Sequence, residues 1–222
     1  MITPLPSLMT CPLCGCQDVA AFATVVDPDH ARHYHHCATC DLVFLDPSDR
    51  LDPARELAHY NTHENDVDDP GYRKFLARLG APLMARLQPG AQVLDYGCGP
   101  GPALVALLNE AGHAARGYDP FYANDAALLD CRYDAVTCTE TAEHFYAPGA
   151  EFARLFTLIE SGGWVGLMTC EREATRPFAT WHYRADPTHV CFYSAATFAW
   201  IAEAHAAALE RPRKDVALFR KL

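Results

Sequence analysis

Val93-Leu94-Asp95-Tyr96-Gly97-Cys98-Gly99-Pro100-Gly101 is the stretch whose reading decides the fold. Val93 and Leu94 read as a buried strand that runs into alternating glycines. Leu104, Leu107, Leu108 and Ala111 then recur at helical spacing and stop at Gly112. Strand, glycine turn and helix in this order form the nucleotide-binding half of a doubly wound sheet, where backbone must approach a ligand closely. The pattern differs from the dinucleotide G-x-G-x-x-G: it is D-x-G-x-G-x-G, with the acid Asp95 at the strand end. A carboxylate there repels a pyrophosphate and suits a ligand carrying an ammonium and a sulfonium.

Further along, Gly117-Tyr118-Asp119-Pro120 puts an acid at the end of a second strand, where it can grip ribose hydroxyls. Tyr133 to Glu140 reads as the next strand, followed by Thr141-Ala142-Glu143-His144-Phe145. Phe152, Leu155, Phe156 and Ile159 make one helix face, and Ser161-Gly162-Gly163 turns into a strand from Trp164 to Thr169. Ser194 caps a helix carrying Phe198, Ile201 and Ala202, and Val216 to Phe219 supply a terminal strand.

These segments, in this order, resemble the class I S-adenosylmethionine-dependent methyltransferases over roughly residues 90–222. The glycine turn is similar to that family's motif I, Glu140-x-x-Glu143-His144 to its E-x-x-E-H segment, and Ser161-Gly162-Gly163 to the turn before its fifth strand. The resemblance implies an α/β fold, a Rossmann-like, doubly wound, mostly parallel sheet. It also implies S-adenosyl-L-methionine held by Asp95, Gly97, Gly99, Pro100, Gly101, Asp119, Pro120 and Glu140. One departure stands out. Only about 14 residues separate Asp119 from Asp134, whereas a parallel crossover needs a dozen or more. The family's third strand is therefore expected to be missing or vestigial, with the second strand at an edge. Phe121 or Tyr122, with Asp130, is expected to close the adenine side.

Cys11-Pro12-Leu13-Cys14 and Cys37-Ala38-Thr39-Cys40 are two C-x-x-C pairs about 22 residues apart. Each pair points two thiolates at one centre, and together Cys11, Cys14, Cys37 and Cys40 complete a tetrahedral shell for a structural Zn²⁺. Cys16, His33, His35 and His36 are spare donors nearby. About 45 residues with few large apolar side chains need such a staple to fold. With Leu42-Val43-Phe44-Leu45-Asp46-Pro47 after it, this segment also looks like a zinc-ribbon module fused to methyltransferases of this kind.

Three segments follow from this reading: a Cys₄ module over 1–47, a helical linker or lid over 48–88, and the methyltransferase domain over 89–222. In the middle segment, Phe75, Leu76, Leu79, Leu83 and Leu87 suggest a helix packed on the sheet edge. Tyr60, His63 and Tyr72, beside the acids Glu64, Asp66, Asp68 and Asp69, belong either to a solvated linker or to a lid over the acceptor. His144 follows the fourth strand and His189 the fifth. Ligands of open α/β sheets bind beyond the carboxyl ends of the strands, so both histidines are candidates for facing the transferred methyl, with at least one taking the acceptor's proton.

The chain has 222 residues, of which 50% are hydrophobic and 21% charged, enough apolar content to bury a core. Its start, Met1-Ile2-Thr3-Pro4-Leu5-Pro6, lacks the features of a secretion signal, and no apolar run reaches membrane-spanning length. A cytoplasmic location and no membrane partner are expected. Ten cysteines in such a chain suggest metal ligands and reduced thiols. With 28 acids against 18 bases the net charge is −10, which disfavours nucleic acid as a partner. The expected partner is a small acidic or neutral methyl acceptor. Two other readings remain at this level: a catalytically inactive scaffold whose zinc module recruits a partner, and an RNA methyltransferase. The second predicts a basic stripe along a module that instead carries Asp18, Asp27, Asp29, Asp41, Asp46 and Asp49.

Overall fold

The computed structural model describes residues 9–26, 31–62 and 66–222. Met1 to Pro6, Asp27, Asp29, His63 and Glu64, named above, lie outside the described residues.

The central sheet has six strands: β4 (Gln92–Tyr96), β5 (Ala114–Tyr118), β6 (Tyr133–Thr139), β7 (Ile159–Met168), β9 (Ala207–Arg213) and β10 (Val216–Lys221). Their spatial order is β5-β4-β6-β7-β10-β9. The first four run parallel, and β10 lies antiparallel between β7 and β9. Between β5 and β6 there is no room for another crossover. That stretch holds a bridge from Asp119 to Ala123 and a short 3-10 turn, Ala126–Asp130, so β5 is the sheet's edge among the described residues. No strand stands between β5 and β6 in the chain among the described residues, as the short spacing requires.

Period-two alternation divides the sheet's side chains between two faces. Val93, Val216 and Leu218 pack on one face with α3 (Ala103–Glu110) and α2 (Pro70–Met84), through Leu76, Leu79, Leu83, Leu104 and Leu108. Leu94, Ala217 and Phe219 pack on the other with α4 (Pro148–Thr157) and α6 (Ala195–Ala204), through Phe152, Leu155, Phe198 and Ile201. The helix expected on the sheet edge therefore lies over a sheet face, because its apolar stripe is matched by Trp164, Met168 and Val216. Two further expectations shift. Ile159 begins β7 instead of extending the α4 face. Ser161-Gly162-Gly163 is built into β7 opposite a register shift between Tyr133 and Ala135 of β6.

Asp52 caps α1 (Pro53–Tyr60) by accepting from Ala54 and Arg55 N–H, and Ser194 caps α6 in a reciprocal pair with Thr197. The second sheet is small, with β1 (Val19–Val26) and β2 (Ala31–Cys37) forming an antiparallel pair between the two cysteine knuckles. Its order continues through β3 (Val43–Leu45) to β8 (Cys191–Phe192).

The β3–β8 pairing ties β3, with β2 and β1 beside it, to the C-terminal half of the chain. The knuckle also meets α4 backbone to backbone. Gly149 N–H donates to Pro12 C=O at 3.1 Å, and a methyl at Gly149 would stand 2.4 Å from the Leu13 carbonyl oxygen. Cys11, Leu13, Cys37, Cys40 and Leu42 to Leu45 share one apolar cluster with Phe152, Tyr193 and Phe198. The segment boundaries expected after 47 and after 88 are therefore not breaks in packing. No helix among the described residues is long and apolar enough to cross a membrane.

Candidate functional site

A cavity of about 650 Å³ opens at the carboxyl ends of β4, β5 and β6, within the range of small-molecule sites. The glycine turn forms one wall. Tyr118 C=O accepts from the N–H groups of Gly97 and Cys98, at 2.7 and 3.1 Å, which folds the turn back onto β5. Gly97 adopts φ +82°, and a methyl placed on it would lie 2.3 Å from the Thr141 methyl. Gly97→Ala is expected to destabilise the protein by roughly 1–3 kcal/mol. Adding Thr141→Ala should recover part of that loss in a denaturant titration, because it removes the contacts at 2.3 and 2.5 Å and leaves the Thr141 Cβ at 2.9 Å and the positive φ.

Asp119 organises this wall. Its Oδ2 accepts from Gly99 N–H at 3.0 Å, and its Oδ1 from Phe121 and Tyr122 N–H at 2.8 and 3.1 Å. A carboxylate has about four acceptor positions, so three backbone bonds leave capacity for one more donor. Gly97, Gly99, Pro100, Asp119, Pro120 and Glu140 all line the cavity, with Phe121 and Tyr122 beside them. Asp95, Gly101 and Asp130 do not. Asp95 is buried beneath the turn and accepts from the Thr137 hydroxyl at 2.7 Å, and burial pushes its carboxyl up to about 6. Gly101 is buried where α3 begins, and Asp130 lies on the exposed 3-10 turn.

The opposite end holds both histidines. His144 and His189 meet edge to face with centroids 4.8 Å apart. His144 sits in a 3-10 turn, Ala142–His144, directly after β6, and His189 follows the short helix α5 (His182–Ala185). Each ring has its Nδ1 against a backbone carbonyl: His189 on Tyr183 C=O at 2.7 Å, His144 on Thr188 C=O at 3.1 Å. A carbonyl only accepts, so both rings carry a proton on Nδ1, and in the neutral imidazole the lone pair is then on Nε2. Burial lowers the pKa of His189. Tyr60 of α1 stands edge-on to His144 at 5.3 Å and, with Tyr72 of α2, lines the cavity, so the helices over residues 48–88 contribute wall.

Several wall residues were given no role in the site by sequence reasoning. Glu143 is fully buried and accepts from Tyr183 O–H at 2.5 Å. Asp186 accepts from Thr188 N–H and lies 3.2 Å from His59 Nε2. Glu56 and Glu151 complete a set of six carboxylates with Asp119, Glu140, Glu143 and Asp186, and no lysine or arginine lines the cavity among the described residues. Burial, with Glu143 beside it, pushes Glu140 up to about 9. Glu143 sat in the segment already quoted for His144, and Asp186 lies three residues before His189; Glu56 and Glu151 carry no local signature. Of the acidic or neutral acceptor expected, an anionic form meets no lysine or arginine among the described residues of this wall.

The four cysteines form a separate cluster, with their sulfurs within 4.8 Å of one another. Cys11 and Cys40 Sγ are 3.5 Å apart, as are those of Cys14 and Cys37. A tetrahedron with metal–sulfur bonds of ~2.3 Å has edges of about 3.8 Å, so the set could hold a metal ion. The Cys40 thiol holds Cys11 down at about 5, while burial pushes Cys14 up to about 12. The spare donors are engaged elsewhere: His33 with Asp49, His35 with Asp46 and His36 with Asp41, and Cys16 Sγ accepts from the Thr39 hydroxyl at 3.1 Å.

Residues 69–207 match a family model described as a methyltransferase domain. Two curated relatives carry the name ubiquinone biosynthesis O-methyltransferase. The protein from Leptothrix cholodnii is 37% identical over 91 residues, covering 40% of this chain and 39% of that protein. The protein from Burkholderia thailandensis is 32% identical over 108 residues, covering 38% of this chain and 46% of that protein. The chain thus spans less than half the length of the curated relatives it matches. A solved Burkholderia thailandensis 1,6-didemethyltoxoflavin-N1-methyltransferase, with its acceptor and S-adenosylhomocysteine bound, has the same fold. It aligns at TM-score 0.55 and 18% identity over 90% of this chain and 98% of that one.

Proposed function

We propose, on the premise that the chain belongs to the methyltransferase domain family and is an S-adenosylmethionine-dependent methyltransferase, that it methylates a hydroxyl of a small, uncharged, ring-bearing molecule. One observation carries this reading: the glycine turn with Asp119 and the pair His144 and His189 line a single cavity. Gly97, Gly99, Pro100, Asp119, Pro120 and Glu140 would hold S-adenosyl-L-methionine, with Asp95 and Gly101 supporting the turn from behind. Acidic side chains on this wall, Asp186 in its ionised form among them, suit its sulfonium and ammonium charges. Tyr60, Tyr72, Phe121, Tyr122, Phe145 and Tyr146 offer flat apolar walls, which fits adenine and a planar acceptor. His144 and His189 would stand at the acceptor end and help its proton leave. The hydroxyl is chosen because the curated relatives are named O-methyltransferases.

RNA as acceptor is disfavoured by a cavity without lysine or arginine, because phosphates are held chiefly by those side chains. The inactive-scaffold reading is disfavoured by the retained turn and Asp119. The Cys₄ cluster is read as a structural zinc site, closed by four protein ligands and without an open position for chemistry.

Asp119→Ala is expected to weaken S-adenosylmethionine binding roughly tenfold or more, since a hydrogen bond to a charged group is worth about 1.5–3 kcal/mol. Calorimetry on both proteins tests this, and equal affinities would remove Asp119 from the site. Binding of NAD without S-adenosylmethionine would overturn the whole reading. A metabolite-extract screen with methyl-labelled cofactor then identifies the acceptor; label found only in RNA would replace the small-molecule reading.

A further inference from the structure

Glu143 presents an unusual problem inside the cavity wall. It is 0% exposed, one oxygen accepts from Tyr183 O–H, and Oε2 is buried without any hydrogen-bond partner. A buried oxygen of an acid left unpaired is costly, and no lysine or arginine lines the cavity to compensate it. Beside it stand His144 and His189. One ligand atom from each of the three residues lies within 4.8 Å of the others.

The two imidazoles are also oriented in a particular way. Both have Nδ1 against a backbone carbonyl, Tyr183 C=O for His189 and Thr188 C=O for His144. This fixes the tautomer that puts the lone pair on Nε2, and it is the outer arrangement usual around metal-binding histidines. Tyr183 supports two of the three groups: its O–H donates to Glu143 and its carbonyl accepts from His189 Nδ1–H.

We propose that Glu143, His144 and His189 form a divalent-cation site at the acceptor end of the cavity. Two imidazoles and one carboxylate match a zinc-type first-row cation and leave positions open for an acceptor oxygen. Bond lengths of ~2.0–2.2 Å require the three ligand atoms to draw together from the spacing seen here. The site rests on the reading that this end takes the acceptor, and it states how the pair would act there. A hydroxyl on the cation gives its proton to water more readily. Its oxygen then bonds to the methyl carbon, and the sulfur–carbon electron pair returns to sulfur as the thioether forms.

The test is metal stoichiometry of the full chain dialysed against Zn²⁺ and measured by elemental analysis, with S-adenosylmethionine calorimetry reporting that each protein is folded. Wild type is expected to hold two equivalents. Glu143→Gln and His189→Ala should each hold one while still binding the cofactor, and Cys37→Ser should lose the other. Tyr183→Phe should keep the second equivalent about 10–100-fold more weakly. Wild type with a single equivalent, or a second equivalent retained in both Glu143→Gln and His189→Ala, overturns the site. The two readings fail differently. If chelation of the second equivalent leaves turnover unchanged while His189→Ala is inactive, the cation is wrong and the acceptor site stands. If the cation binds at these residues but their variants turn over normally, the cation site stands and the acceptor reading falls.

Discussion

Replacing His144 or His189 with alanine is expected to lower turnover by about 10²–10⁴ while S-adenosylmethionine affinity stays within a few-fold of wild type. The argument is geometric. The rings meet 4.8 Å apart at one end of the cavity, and the glycine turn with Asp119 forms another part of its wall. Help in removing the acceptor's proton is worth far more than one neutral contact, so turnover should fall well beyond what lost packing would cause. Single-turnover rates with the identified acceptor, beside calorimetry of the cofactor, make the measurement. Near-wild-type turnover in both variants would make these residues structural. A complex with either imidazole more than about 8 Å from the cofactor's methyl would say the same, because the proton must be reached directly or through one water.

Cys37→Ser is expected to abolish zinc binding at the Cys₄ cluster and to lower the melting temperature of the whole chain by about 10 °C or more. Structural zinc contributes apparent free energies of ~10–16 kcal/mol in small modules, so losing one of four ligands removes several kcal/mol. In a chain of this length each kcal/mol shifts the transition by roughly 2–4 °C. A separate Cys₄ module over 1–47, as the sequence suggests, would unfold by itself. The structure changes that expectation, because β3 pairs with β8, the first knuckle bonds to Gly149, and Cys11, Cys37 and Cys40 sit in the same cluster as Phe152 and Phe198. Scanning calorimetry should therefore show one transition moving as a unit. A low-temperature transition confined to a small part of the enthalpy, with the main one unmoved, would restore the independent module.

What the sequence determined by itself was local. A strand ending in alternating glycines, the helix face after it and two C-x-x-C pairs each specify geometry within about ten residues. The missing third strand followed from chain length alone, since about 14 residues cannot form a crossover. Only the tertiary structure decided the rest. Asp95 looked like a wall residue, yet the pleat turns its side chain under the turn onto Thr137, and Asp119 takes the wall position. Glu56 and Glu151 enter the cavity from α1 and α4 and add acids to a wall whose charge the sequence did not show. Tyr183 binds Glu143 from 40 positions further along the chain. The physical reason is that periodicity and turn chemistry fix which way a side chain faces within its own element. Charge balance and hydrogen-bond partners inside a cavity depend on which elements the fold brings together.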